Sequence, residues 1–394
     1  MSKALPTRAV RAGIDCDPSF GAVVPPLFLS ANFGFDGLNG KRRYDYTRSG
    51  NPTRDQLGDA LASLEGGAGA VVTATGMAAV ALVLHALVVP GDRLLVPHDC
   101  YGGSWRLFTA LAAKGAFELD SCDFTDEAAL GVAIDRKPDL VWIETPSNPL
   151  LRITDLSAVS ALAKGIGAVV AVDNTFLSPA LQRPIEHGAD IVVHSTTKYI
   201  NGHSDVVGGA VIAREPALLE QLAWWGNALG LTGSPFDSYL TLRGLRTLEA
   251  RLRIQQENCA AIAELLSGNP AVGAIHYPGL PSHPGHSIAA RQQDGFGAML
   301  SFELRGDEDA VHAFVDGLSC FTLAESLGGV ESLVAHPVTM THAAMSEEAR
   351  TRAGIRPGLL RLSIGIEHID DLIADVRAGL ERAANCSKEV VNER

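Results

Sequence analysis

Between Gly69 and Ala213, short apolar runs alternate with helix-length segments, and no other feature constrains the fold of this 394-residue chain more tightly. AVVTA precedes GMAAVALVLHALV, RLLVP precedes SWRLFTALAAKG, and DLVWIET precedes LSAVSALAKGIG. AVVAVDN and DIVVHS then lead into turns, and VVGGAVIA closes the series. Near-continuous Val, Ile and Leu strands separated by amphipathic helices indicate an α/β chain with a mostly parallel sheet covered on both faces. Ligands of such sheets bind beyond the carboxyl ends of the strands. The residues that follow each run are therefore the candidates for chemistry.

The flanking regions differ. The first sixty residues are rich in Pro, Gly and Arg. VVPPLFLSANFGF and KRRYDYTRSGNPTRD read as an extended arm that ends in a helix beginning near Pro52. Such an arm cannot bury itself and is expected to lie on another surface, such as that of a second subunit. Helical segments are expected from about Pro216 to Leu266, with a break near Gly230 to Pro235. The remainder, through AVGAIHYPG, AMLSFEL and LLRLSIG to a last helix ending near Ala384, has the pattern of a smaller α+β domain. The expected division is an arm over 1–60, a large domain over 61–255 and a C-terminal domain over 256–394.

Composition removes several function classes. Apolar residues at 46% and charged residues at 20% belong to a compact globular chain. A net charge of -13 opposes a broad nucleic-acid surface, though a few fixed cations and helix N-termini still hold a small anion. The N-terminus has no apolar core of the kind a secretory signal carries. The longest apolar stretch, Ala78 to Pro90, falls short of the ~20 residues of a membrane span. Six scattered cysteines without a CxxC pair suit free thiols in a reducing cytoplasm. A cytoplasmic enzyme acting on small molecules, with neither nucleic-acid nor membrane partners, is the expectation. No histidine or carboxylate set has metal-ligand spacing, and the dinucleotide, P-loop and serine-hydrolase fingerprints are absent.

Taken in order, the strand ends offer Thr75-Gly76-Met77, Asp99 to Tyr101, Glu144 to Asn148, Asp173-Asn174, and Ser195 to Lys198. A lysine after a strand is ordinarily solvated. Lys198, in HSTTKYINGHSD, has apolar flanks that would desolvate its amine and lower its pKa, as a Schiff-base lysine requires, with the hydroxyls of Ser195 and Thr197 beside it. Asp173 has an ordinary use as a loop cap. Beside a lysine-bound pyridine aldehyde it would keep the ring nitrogen protonated and the ring an electron sink. Gly76 lets backbone N–H groups at a helix N-terminus approach a phosphate closely. Tyr101 could stack on a flat cofactor. Arg48 could hold a phosphate bidentately if the arm crosses a subunit boundary. Arg361 alternates with apolar residues on a strand, and an inward arginine calls for an anion such as a substrate carboxylate.

With these residues assembled, the chain resembles the Cys/Met-metabolism group of pyridoxal-phosphate enzymes over nearly its whole length. The resemblance runs through YDYTRSGNPTRD, LEGGAGAVVTATGMAA, PHDCYGGSWRLF, ETPSNPLLRITD, VDNTFLSPALQRP, HSTTKYINGHSDVVGG, FTLAESLGGVESL and LRLSIGIE. It implies the fold-type I, aminotransferase-like architecture, with a mostly parallel seven-stranded sheet and a smaller C-terminal α+β domain. It also implies pyridoxal 5'-phosphate as cofactor and a homotetramer whose active sites are shared across a dimer. Residue by residue, it makes Lys198 the Schiff-base lysine, Asp173 the pyridinium partner and Tyr101 the stacking ring, these three being catalytic. Gly76, Met77, Ser195 and Thr197 become the phosphate cradle, completed by Tyr46 and Arg48 from the neighbouring subunit. Asn148, Ser326 and Arg361 become the clamp for the substrate α-carboxylate. Acids at Asp45 and Glu325 are associated with family members whose substrate carries a distal amino group. The details around YDYTRSGNPT, HDCYGGS and AWWGNALGLTG look closer to bacterial synthases than to γ-lyases. The implied reaction is replacement of the succinyl group of O-succinyl-L-homoserine by L-cysteine, giving L-cystathionine and succinate in methionine biosynthesis. A cystathionine γ-lyase and a non-catalytic α/β binding protein stay open as alternatives.

Overall fold

The computed structural model describes residues 3–392, with Asp307, Ala344 and Ser346 excepted. The large sheet has seven strands: β1 (Gly69–Thr73), β2 (Arg93–Pro97), β3 (Glu118–Cys122), β4 (Leu140–Glu144), β5 (Val169–Asp173), β6 (Ile191–His194) and β7 (Gly209–Ala213). Their order is β1-β7-β6-β5-β4-β2-β3. Every neighbouring pair from β6 to β3 is parallel, and only β7 runs the other way, antiparallel to both β1 and β6. The expected mostly parallel, seven-stranded α/β fold is therefore the observed one.

Alternation along the strands divides two apolar layers. Leu140 and Trp142 of β4 point into one, with Ala171 of β5 and Val193 of β6. Val141 and Ile143 point into the other, with Val170 and Val172. Because side chains on a strand alternate with period two, Glu144 and Asp173 continue the Leu140–Trp142 and Ala171 rows. They end adjacent strands on the same face, as register partners.

The second sheet has five strands: β8 (Val272–His276), β9 (Met299–Leu304), β10 (Thr322–Leu323), β11 (Leu333–Ala335) and β12 (Leu359–Ser363), ordered β10-β11-β12-β9-β8. Helices Glu308–Val315 and Ile369–Asn392 cover it, with Phe302 and Phe314 edge to face at 5.3 Å. The last helix passes the expected end near Ala384 because neither Gly nor Pro stands between Ala384 and Asn392. The position 255 expected to divide the two larger parts falls inside the continuous helix Leu248–Ser267. Buried Leu252, Cys259, Ile262 and Leu266 pack this helix into a core shared by both sheets.

Ahead of the large sheet, helix Pro52–Glu65 is capped by Asn51, whose Oδ1 accepts from Thr53 N at 2.9 Å and Arg54 N at 3.3 Å. The chain before it has little of its own to pack on: Phe20 is 94% and Leu38 96% exposed. No described helix is long and apolar enough to cross a membrane.

Candidate active site

A cavity of about 540 Å³ lies where the carboxyl ends of β1, β4, β5 and β6 face the loop after β10 and the strand β12. The parallel strands bring their last residues to one rim, and the second sheet closes the other side. Gly76, Met77, Tyr101, Asn148, Asp173, Ser195, Thr197, Lys198, Glu325, Ser326 and Arg361 all line it. Eleven of the residues singled out in the sequence thus meet in one place. Asp45, Tyr46 and Arg48 do not. They sit on the exposed arm, where Asp45 pairs with Lys41 at 2.8 Å and Arg48 Nη1 donates to Asn227 O and Oδ1, both at 2.9 Å.

Lys198 follows β6 in a turn, and its Nζ donates to Ser326 Oγ at 2.8 Å. Burial lowers the amine's pKa to about 8, and the nearby Arg361 guanidinium pushes in the same direction. Ser326 holds a left-handed backbone, φ +84°, uncommon for a residue with a side chain. That conformation presents Ser326 Oγ to the lysine and Ser326 O to Arg361 Nη2 at 2.9 Å. Arg361 is 3% exposed, and its Nη1 donates to Asn148 Oδ1 at 2.9 Å. Its Nε has no partner, and no carboxylate of the described residues pairs with it. Burial lowers its pKa to about 10. A buried guanidinium held only by neutral oxygens lacks a counterion.

Asp173 presents the opposite problem. Burial raises its pKa, against hydrogen bonds from Thr175, whose N–H reaches Oδ1 at 3.0 Å. Glu144 lies beside it, raised well above the carboxylate range by burial first and by Asp173 second. The site therefore holds a desolvated carboxylate and a desolvated guanidinium, both without full partners. A ligand with a protonated ring nitrogen at one place and a carboxylate at another satisfies both.

The third element of the site suits a phosphate. Helix Gly76–Leu87 starts at the rim, with Thr75 Oγ1 capping Ala78 N at 2.8 Å. A Cβ on Gly76 would stand 2.8 Å from Ser195 Cβ, so glycine is what lets this N-terminus approach the β6 turn. Thr197 lines the same end, but its hydroxyl already accepts from Gly208 N at 3.0 Å. Tyr101 caps the neighbouring helix Gly102–Ala113, with its ring against Gly103, where a Cβ would lie 2.5 Å from Tyr101 Cε1. These donors and this ring fit pyridoxal phosphate: an amine for the aldehyde, an acid for the ring nitrogen, a flat face and an anion-binding helix end.

Sequence reasoning passed over several wall residues. Glu144 was visible as one of the strand-end residues but had no role. Arg106 projects from helix Gly102–Ala113, and Met340, Thr341, His342 and Met345 form a cover from the C-terminal part. His342 Nε2 is 3.1 Å from Asn148 O, and burial lowers its pKa to about 4.

The fold and the donor set define a pyridoxal-phosphate-dependent enzyme of fold type I. The family model described as Cys/Met metabolism PLP-dependent enzyme matches residues 6–381, and the chain belongs to that family. Escherichia coli (strain K12) cystathionine gamma-synthase is 57% identical over 385 residues, covering 98% of this chain and 100% of the relative. The crystal structure of cystathionine gamma synthase from Xanthomonas oryzae pv. oryzae, in complex with cystathionine, is 67% identical with TM-score 0.97, covering 98% and 100% of the two chains. A cystathionine beta-lyase of Lactococcus lactis subsp. cremoris is 44% identical over 376 residues, 95% of this chain and 98% of the relative.

Proposed function

We propose that the protein catalyses a γ-replacement in which the thiol of L-cysteine displaces succinate from O-succinyl-L-homoserine, forming L-cystathionine for methionine biosynthesis. The observation that carries this reading is the buried, uncompensated Arg361 within one hydrogen-bond network of Lys198 through Ser326. Identities of 57% and 67% to cystathionine γ-synthases over nearly the full chain support the same reaction.

Lys198 would carry the cofactor through Nζ, with Asp173 at the ring nitrogen, Tyr101 on the ring face, and Gly76, Met77, Ser195 and Thr197 at the phosphate. When bound there, pyridoxal phosphate supplies an electron sink that acidifies the substrate's Cα–H and Cβ–H bonds and permits loss of the γ substituent. Arg361, held by Asn148 Oδ1 and Ser326 O, takes the substrate α-carboxylate and fixes the orientation of Cα. Freed of its covalent role, Lys198 Nζ takes the Cα proton and then serves Cβ; a pKa of about 8 leaves part of the amine unprotonated near neutral pH. Ser326 Oγ accepts from this amine and limits where it points. Glu325, on the same wall, faces the distal ammonium of cysteine or cystathionine, with Asp45 as a second acid delivered by an arm. Succinate leaves with the electrons of the Cγ–O bond, and the cysteine sulfur forms the new bond to Cγ.

Asp45, Tyr46 and Arg48 do not line the cavity that Lys198 lines, so they are assigned to the site of a second subunit in a homotetramer built from catalytic dimers. Purified protein is incubated with O-succinyl-L-homoserine with and without cysteine. Cystathionine and succinate should form in equal amounts, faster than the protein degrades cystathionine. Dominant cystathionine cleavage would establish the γ-lyase alternative instead.

A further inference from the structure

We propose that Glu65 is a positioning residue for the cofactor cavity: one of its oxygens, behind the large sheet, ties the end of β5, which carries Asp173, to the end of β6, which leads into Ser195 and Lys198. Glu65 Oε1 lies 2.6 Å from His194 Nε2 and accepts from Asn174 Nδ2 at 2.9 Å. A carboxylate oxygen only accepts, so the imidazole N–H is the donor in the first contact. Asn174 directly follows Asp173, and His194 directly precedes Ser195. Asp173 and Val193 are register partners on one face of the sheet. Successive side chains of a strand face opposite ways, so Asn174 and His194 turn to the other face, towards Glu65. Glu65, Asn174 and His194 are each 0% exposed.

The two strands need such a tie at this point. Their register ends at Asp173 with Val193, and side chains link the segments beyond it. On the cavity side Ser195 N donates to Thr175 Oγ1 at 2.9 Å, and Glu65 bridges Asn174 and His194 from behind. The link continues to β4. Asn174 Nδ2 also donates to Gln182 O at 2.7 Å, while Gln182 Nε2 donates to Asn174 Oδ1 at 3.0 Å and to Thr145 O at 3.1 Å. Thr145 leads into Pro146 and Asn148 of the cavity wall. Glu65 Oε2 has no partner among the described residues. A buried carboxylate with one idle oxygen is a costly way to fill space, which leucine would fill without burying a polar group. Glutamine would keep the oxygen in use and replace only the idle one.

The role rests on the assignment of Asp173 to the ring nitrogen and Ser195 to the phosphate, and Asp173→Ala tests that assignment separately. Parent, Glu65→Gln, Glu65→Leu, Asn174→Ala and Asp173→Ala are compared for the dissociation constant of pyridoxal phosphate, absorption maximum of the loaded enzyme and melting temperature. Amide hydrogen exchange over residues 173–176 and 194–198 is followed in the cofactor-free proteins. Glu65→Leu should weaken cofactor binding on the order of ten-fold, as for a lost buried hydrogen bond to a charged group. It should also shift the absorption maximum and speed exchange in both segments. Glu65→Gln, with the acceptor kept, should restore all three most of the way, while its unpartnered amide lowers the melting temperature. If Glu65→Leu does not fold, Asn174→Ala, which cuts the same tie from β5, should give the same loosened pattern. Variants that lose only thermal stability, with affinity, absorption maximum and exchange as in the parent, would show that Glu65 has no positioning role. Glu65→Gln as loosened as Glu65→Leu would overturn it too. If Asp173→Ala leaves affinity and absorption maximum unchanged, the site assignment fails instead, and exchange in the two segments still reports on the tie.

Discussion

Lys198 carries the most informative single ionisation in the molecule. Its pKa of about 8 in the folded, cofactor-free protein compares with 10.5 for a free lysine, and burial is the largest cause. Folding therefore disfavours the ammonium. Between about pH 8 and 10.5 the unfolded chain binds more protons than the folded one, so stability rises with pH across that window. Below it both states are protonated and the full cost persists; above it the cost is gone. The penalty is on the order of 3 kcal/mol, less what water recovers at a partly buried amine. Denaturant unfolding of cofactor-free parent and Lys198→Met should show the variant more stable at pH 7, with the gap closing towards pH 10.5. A gap independent of pH would show that the amine is solvated. The same variant should stay colourless when pyridoxal phosphate is added and the protein desalted, while the parent turns yellow.

At this scale the sequence was legible where chemistry follows a strand. Lys198, Asp173 and Gly76 each stand just past an apolar run, and the parallel sheet gathers such positions on one rim. Glu144 had the same signal, an acid ending DLVWIE as Asp173 ends AVVAVD, and its neighbour's side chain is what makes it unusual. Arg106 and His342 had none. Their arrival at the cavity depends on which helix face turns inward and on how the C-terminal part folds over β4, and neither leaves a local pattern in the chain.

Among the elements, helix Pro52–Glu65 is the one on which the arm's attachment turns. Asn51 caps it through Oδ1, and its Nδ2 donates backward to Phe28 O at 3.0 Å and Thr47 Oγ1 at 3.2 Å. One buried amide thus ends the arm, starts the helix and ties both to a residue more than twenty positions earlier. The start near Pro52 was legible because Asn followed by Pro is a helix-entry signal. The backward bonds were not, since nothing in the sequence places Phe28 beside Asn51. Asn51→Ala should cost about 1–2 kcal/mol for the cap alone, with a further loss from the freed Phe28 carbonyl. Asn51→Asp keeps the cap acceptor and loses only the backward donor, so it should be milder. Denaturant unfolding checks both, and equal losses would show that the cap itself contributes little. The helix Leu248–Ser267 makes a related point: its continuity through residue 255 reflects burial against both sheets, which the local pattern of the sequence does not register.

For the whole molecule, the question is how the three arm residues proposed for the site, Asp45, Tyr46 and Arg48, would reach a cavity they do not line. Leu29 is 66% and Val23 65% exposed, alongside the almost fully bare Phe20 and Leu38, so the arm carries apolar surface suited to another copy of the chain. If Arg48 serves the neighbouring cavity while Lys198 serves its own, Lys198→Ala and Arg48→Ala damage different components of a shared site. In a mixed dimer, one cavity would receive both lesions and the other neither. Co-unfolding and refolding equal amounts of the two inactive variants should then restore roughly a quarter of parental activity, because about half of randomly paired dimers are mixed and each has one intact site of two. Mixing without unfolding should restore activity only as fast as subunits exchange. A mixture no more active than its components would place Arg48 outside the neighbouring site, and the arm's apolar surface would then serve assembly alone. Restoration near the expected fraction, together with loss of that activity on dilution below the dimer's dissociation range, would make the catalytic unit a dimer whose arms complete each other's cavities.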